Sequence, residues 1–118
     1  METILIIEDE ADIRESLADV LGLRGYDVAT VVNGREALER LEAGLTPCLI
    51  ILDLMLPVMS GWEFRRQQLA NDKWAEIPTV LLSGITNLPG ESQRLRAVSF
   101  LPKPIDFASL YNTVDGYC

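Results

Sequence analysis

The sequence predicts an α/β fold, a parallel sheet of five strands covered by helices on both faces. Three observations predict it. Residues 3–7 (TILII) and 48–52 (CLIIL) are short, continuous apolar runs bounded by polar or turn residues, the pattern of strands buried on both sides. Five strand-like runs alternate with five helical patterns, which calls for crossover connections and a parallel sheet. Hydrophobic residues make up 48% of the 118 residues, and no repeat, linker or low-complexity segment interrupts them. We therefore read residues 1–118 as a single domain with its own core.

Taken in order, the first strand ends abruptly in Glu8-Asp9-Glu10. Residues 12–23 then place Ile13, Leu17, Val20 and Leu21 on one helical face, closed by Gly25. Residues 26–31 form a short strand, ended by Asn33-Gly34. A second amphipathic helix runs over 35–43 through Ala37, Leu38 and Leu41 and stops at Gly44. The strand at 48–52 ends at Asp53, and Pro57 and Ser60-Gly61 separate it from a helix over 62–71. Residues 79–82 are the fourth strand, ended by Ser83-Gly84. Asn87, Pro89 and Gly90 break the next stretch and leave about two helical turns at 91–98. A strand near 99–101 follows, Pro102-Lys103-Pro104 interrupts it, and Asp106 caps a last helix through Phe107, Leu110 and Val114.

The formal charge is −8 and there is no histidine. The acidity argues against direct nucleic-acid binding, which needs clustered Lys and Arg. Without histidine there is no His general base, no His-metal site and no phosphohistidine on this chain. No apolar run approaches the ~18 residues of a membrane helix, and no basic leader precedes the first strand. The expected location is the cytoplasm. Cys48 and Cys118 are far apart in sequence, and we expect both as free thiols in a reducing compartment.

A carboxylate at the end of a doubly buried strand must face water, a cation or a partner, and that edge of an open α/β sheet is where ligands bind. Asp53 is such a carboxylate. If the first and third strands are neighbours, Glu8, Asp9 and Asp53 converge, and a hard divalent cation such as Mg²⁺ is the usual remedy for their repulsion. Glu8 or Asp9 alone reads as a cap of the first helix; with Asp53 the set reads as a cation site. Lys103, between two prolines, offers a fixed positive charge to a carboxylate or phosphate oxygen, and its bond to Pro104 is a candidate cis peptide. Ser83 offers a hydroxyl at the end of the fourth strand.

Glu8-Asp9, Asp53 with Pro57 and Gly61 behind it, Ser83-Gly84 and Lys103-Pro104 stand in order at strands one, three, four and five. In this the whole chain resembles the receiver domain of two-component response regulators. The resemblance implies a flavodoxin-like sheet in the order 2-1-3-4-5. It implies Asp53 as phosphoacceptor and Asp9 and Asp53 as Mg²⁺ ligands, with Glu8 acting through water and the Met55 main-chain carbonyl completing the protein ligands. Ser83 and Lys103 would contact the phosphoryl group, and Ser83 and Phe100 would form the switch pair. The implied partner is a sensor histidine kinase or histidine phosphotransfer protein. The expected activity is limited to the chain's own phosphotransfer and dephosphorylation. Pro89-Gly90 stands where the family has its fourth helix, Phe100 lacks the common tyrosine hydroxyl, and Cys48 replaces a common Asp. The alternative reading is a phosphate-independent interaction module of the same fold. An aspartyl-phosphatase lacks its second acid, since position 55 is Met. A flavin or nucleotide site lacks a glycine-rich cradle after the first strand.

Overall fold

The computed structural model describes residues 2–118. Five strands, β1 (Thr3–Ile7), β2 (Asp27–Val31), β3 (Leu49–Asp53), β4 (Thr79–Ser83) and β5 (Ser99–Pro102), form one sheet in the order β2-β1-β3-β4-β5. Every neighbouring pair is parallel. Between them run α1 (Ala11–Leu23), α2 (Gly34–Glu42), α3 (Gly61–Leu69) and α4 (Leu88–Arg94), and α5 (Phe107–Asp115) follows β5. The sheet order and alternation match the sequence expectation.

Side chains alternate across the sheet, so each strand feeds two cores. Ile4, Ile6, Leu49, Ile51, Val80, Leu82 and Leu101 meet Leu17 and Leu21 of α1 and Leu110 and Val114 of α5. Leu5, Ile7, Ile50, Leu52 and Leu81 meet Ala37 and Leu41 of α2, Phe64 of α3 and Leu88 of α4 on the other side. All five residues of β3 are buried, which is why that strand reads as an uninterrupted apolar run.

Register sets the functional edge. Ile7 pairs with Leu52, Asp53 with Leu82, and Ser83 with Pro102. Residues at or just past these ends, Glu8, Asp53, Ser83 and Lys103, therefore share the carboxyl edge of the sheet. Local caps fix the helices behind it. The Asn33 side chain accepts from the Glu36 N–H at 2.9 Å, Ser60 from Glu63 at 3.2 Å and Asp106 from Ala108 at 3.2 Å, each satisfying an orphan donor of a first turn.

Two differences from the sequence expectations have physical causes. The fourth helix covers Leu88–Arg94 rather than 91–98. Pro89 sits in its first turn, where no N–H is needed, and the chain leaves the helix at Arg96, whose φ is 58°. Val98 already donates to the Thr79 carbonyl at 3.0 Å on the way into β5. The cysteines are not free thiols: Cys48 and Cys118 form a disulfide with Cα atoms 5.7 Å apart. The sheet places Cys48 at the head of β3, and the end of α5 returns Cys118 to it. In α3, two polar residues, Arg65 and Gln68, are buried. The Arg65 guanidinium donates to the carbonyls of Leu95 and Arg96 and to the Thr79 hydroxyl, at 2.9 to 3.1 Å. Burial draws its pKa below the ordinary arginine value, with nearby Arg96 adding to the effect. The Lys103-Pro104 bond is cis, as anticipated.

Gly61 opens α3 directly behind the acidic edge. A Cβ there would lie 2.3 Å from the Asp53 carbonyl oxygen and 2.6 Å from the Leu54 Cα. Both are backbone atoms, so the neighbours cannot swing aside. Gly61→Ala is expected to destabilise the protein by about 1–3 kcal/mol, as overpacking does, despite the better helix propensity of alanine. Urea unfolding measures this; equal or greater stability of the variant would contradict the close approach.

Candidate functional site

The carboxyl edge opens into a cleft of about 400 Å³ lined by Asp9, Glu10, Asp53, Met55, Ser83, Gly84, Ile85 and Lys103. Asp53 ends β3 and is almost wholly buried at 2% exposure. Its Oδ1 accepts the Met55 N–H at 3.1 Å, and its Oδ2 accepts from Lys103 Nζ at 3.1 Å. Lys103 reaches this point because β5 ends beside β4, with Pro102 paired to Ser83. The same Nζ lies 2.9 Å from Glu8 Oε1 and 3.1 Å from Glu10 Oε1. Burial alone would lower the Lys103 pKa; Glu8, Asp53 and Glu10 together hold it above its ordinary value.

Glu8 sits beneath the cleft with no exposed surface. Its Oε2 accepts the Glu10 N–H at 3.1 Å. Its Oε1 faces Lys103 at 2.9 Å outside hydrogen-bonding alignment and has no other donor. Burial raises the Glu8 pKa to about 7; Lys103 opposes the rise and Asp53 adds to it. Arg14 of α1 pins the turn by donating to the main-chain carbonyls of Glu8 at 2.9 Å and Asp9 at 3.2 Å. Asp9 is exposed to the cleft. Glu8, Asp9 and Asp53 each bring one carboxylate oxygen within 4.8 Å of the others.

These residues fit a hard divalent cation. Three close carboxylates repel, the donor set is all oxygen, and Glu8 Oε1 is a buried acceptor whose near cation, Lys103, is out of hydrogen-bonding alignment. That combination suits Mg²⁺ with several of its waters retained. A second cluster, Glu2 with Cys48 and Cys118, does not fit a metal in this state, because its sulfurs are engaged in their mutual bond.

Ser83 is fully buried at the end of β4, its hydroxyl accepting the Ile85 N–H at 3.3 Å. Phe100, on β5, is 38% exposed. The structure thus brings Glu8, Asp9, Asp53, Met55, Ser83 and Lys103 to one edge and leaves Phe100 on the flank.

The family model described as "Response regulator receiver domain" matches residues 4–115. The chain belongs to the receiver-domain family. Its relatives include Sporulation initiation phosphotransferase F of Bacillus subtilis, 29% identical over 116 residues, covering 98% of this chain and 93% of that protein. Another is the DNA-binding dual master transcriptional regulator RpaA of Synechocystis, 33% identical over 108 residues, covering 90% of this chain but only 44% of the regulator. Among solved structures, the response regulator TrrA of Thermotoga maritima in complex with Mg²⁺-BeF superposes with a TM-score of 0.87 at 30% identity, covering 100% of both chains. The five-stranded order and the five helices are those of a flavodoxin-like receiver domain.

Within this receiver domain, sequence reasoning missed two residues. Glu10 is a third carboxylate on Lys103, freed for that role because its side chain makes no cap bond to α1. Its place in the run Glu8-Asp9-Glu10 was the available signal. Arg14 carries no sequence signal that distinguishes it from any other polar residue of an exposed helix face.

The raised Glu8 pKa makes the metal-free receiver domain sensitive to pH. Between about 4.5, the ordinary glutamate value, and about 7, the folded state holds a proton that the unfolded state has lost. Stability from this group is therefore full below that window and falls as pH rises through it. With metal chelated, wild type should lose on the order of 2–3 kcal/mol relative to Glu8→Gln between pH 4.5 and 8. Urea unfolding at the two pH values checks it; parallel pH profiles of the two proteins would refute the buried-carboxyl assignment.

Proposed function

We propose that the chain is a phosphorylation-controlled signalling switch. Asp53 receives a phosphoryl group from a phosphohistidine on a sensor histidine kinase or a histidine phosphotransfer protein. The observation that carries this reading is the Lys103 ammonium held at 3.1 Å from Asp53 Oδ2 over the carboxylate set. In that position it can neutralise charge on a phosphoryl oxygen as readily as on a carboxylate. Membership in the receiver family supports it, as does the likeness to TrrA in complex with Mg²⁺-BeF.

In the proposed step, an Asp53 carboxylate oxygen attacks phosphorus in line, the histidine N–P bond breaks and the imidazole leaves. Asp9, Asp53 and the Met55 main-chain carbonyl, with Glu8 acting through water, would hold Mg²⁺, whose positive charge would offset that of the carboxylates and of the incoming phosphoryl group. The chain's own part is mainly positioning. The Met55 N–H holds one Asp53 oxygen and Lys103 the other, and Ser83 stands ready to donate its hydroxyl proton. A phosphoryl oxygen that attracts both Lys103 and Ser83 biases the β4 and β5 ends, and the half-exposed Phe100 moves with them. Met55 and Ile85 line the same cleft and bring no side-chain group that orients an attacking water.

Beside Lys103, an apolar groove of about 250 Å³ runs between α1 and the start of α5, with Ile13, Ile105 and Phe107 among its lining. A helix of the partner seated there would bring its phosphohistidine to the cleft. The acidic surface, at net −8, supports protein rather than nucleic-acid contacts. Among the described residues no helix is long and apolar enough to cross a membrane, and we place the chain in the cytoplasm with its kinase. It turns over no separate substrate beyond its own phosphotransfer and hydrolysis.

Incubation with Mg²⁺ and acetyl phosphate should add one phosphoryl group to the wild-type protein and none to Asp53→Asn, read by intact-protein mass spectrometry. Equal labelling of the two would remove Asp53 from the acceptor role.

A further inference from the structure

The disulfide lies at the pole of the molecule opposite Asp53. Cys48 precedes β3, its N–H donating to the Thr3 carbonyl at 2.9 Å, so its main chain is locked to β1. Cys118 stands three residues past the end of α5, in no regular element, its N–H donating to the Val114 carbonyl at 2.9 Å. The bridge closes 70 residues of chain. Both cysteines are half-buried, packed against the core under α1 and α5 and not wholly enclosed by it.

The remaining ties on the end of α5 are noncovalent. Asp115 accepts from Arg24 at 2.6 Å and from the Tyr26 hydroxyl at 2.7 Å. The Tyr111 hydroxyl donates to the Val20 carbonyl at 3.1 Å, and the Arg24 guanidinium lies over the Tyr111 ring at 4.0 Å. Such exposed polar contacts are individually weak. Leu110 and Val114, fully buried, keep the body of the helix on the sheet whatever the state of the sulfurs. Breaking the bridge therefore frees the segment after α5 without opening the core, and leaves the two thiols close enough to rejoin.

We propose that Cys48 and Cys118 form a thiol–disulfide exchange site, a covalent latch between the end of α5 and the head of β3 that a dithiol reductant opens. One thiolate of the reductant attacks a bridge sulfur, the S–S bond breaks, and a mixed disulfide forms. The reductant's second thiol then displaces the protein sulfur. The reductant leaves as a disulfide, and its two electrons and two protons remain as two protein thiols. A bridge that is not fully buried, in the cytoplasmic location proposed above, would meet such reductants continually. The latch thus rests in part on the location proposed above, whereas its chemistry is independent of Asp53.

The test compares wild type and Cys118→Ser in metal-free buffer, each oxidised with glutathione disulfide and then treated with reduced thioredoxin. The expected result is two thiols released per wild-type chain under native conditions and a melting temperature about 10 °C lower, since the bridge no longer restrains a long loop of the unfolded chain. Hydrogen exchange should rise after Val114 and stay unchanged in β3. Cys118→Ser should melt with the reduced wild type whether or not the reductant is added, and release no more than the single Cys48 thiol. Absence of a bridge after oxidation, no thiol release from the folded protein, or faster exchange throughout the sheet would each overturn the latch. Acetyl phosphate labelling of both redox forms is read alongside. Equal labelling agrees with a latch remote from the cleft, and loss of labelling on reduction overturns that separation. Labelling of neither form would refute the phosphoacceptor reading and leave the thiol result standing.

Discussion

A single ammonium group shared among three carboxylates organises the carboxyl edge of this protein. Lys103 Nζ lies within 3.1 Å of Glu8, Glu10 and Asp53, and Asp9 adds a further negative charge beside them. Carboxylates so close are not all ionised at low cost unless positive charge is supplied. One lysine supplies part of it, and burial raises the pKa of Glu8 to about 7, which favours a proton there. The edge remains short of positive charge, a setting that suits a hard divalent cation with oxygen ligands.

The rest of the fold holds this arrangement in place. Parallel register brings the ends of β1, β3 and β4 level, so carboxylates and hydroxyl meet without long side chains reaching for one another. Two apolar cores hold the strands on either side, and burial of those side chains offsets the cost of the crowded charges. On the far side of the sheet, Arg65 and Gln68 tie α3 to the start of β4 and the end of α4. The Gln68 amide donates to the Trp74 and Ile77 carbonyls and its oxygen accepts from the Thr79 hydroxyl, at 3.0 to 3.2 Å. Trp62 donates to Glu91 at 3.1 Å across the same two helices. The segment between Ser83 and Phe100 is thereby anchored at its far end to α3.

What could be read from sequence was whatever burial and spacing encode. The run 48–52 announces β3 because a strand covered on both faces tolerates only apolar side chains, and Asp53 stands out as the charge that ends it. The resemblance to receiver domains rested on residues whose order along the chain survives folding. What could not be read depends on three-dimensional return. Cys48 and Cys118 are separated by 70 residues, and only the docking of α5 under β3 brings them together. Arg65 and Gln68 look like solvated helix residues until the carbonyls of Leu95, Arg96, Trp74 and Ile77 are seen to need donors. Pro89 and Gly90 suggested a break, whereas proline without an N–H serves well in a first turn. Val58 is 76% exposed at a φ of 66°, a conformation that nothing in a branched side chain advertises.

The most direct test of this account is calorimetric titration of Mg²⁺ into the wild-type protein and Asp9→Asn at pH 7. A charge-starved carboxylate edge predicts one site per chain in the wild type and an affinity at least about tenfold lower when the Asp9 charge is removed, a difference of about 1.4 kcal/mol. No binding heat with millimolar Mg²⁺, or equal affinity in the two proteins, would contradict it.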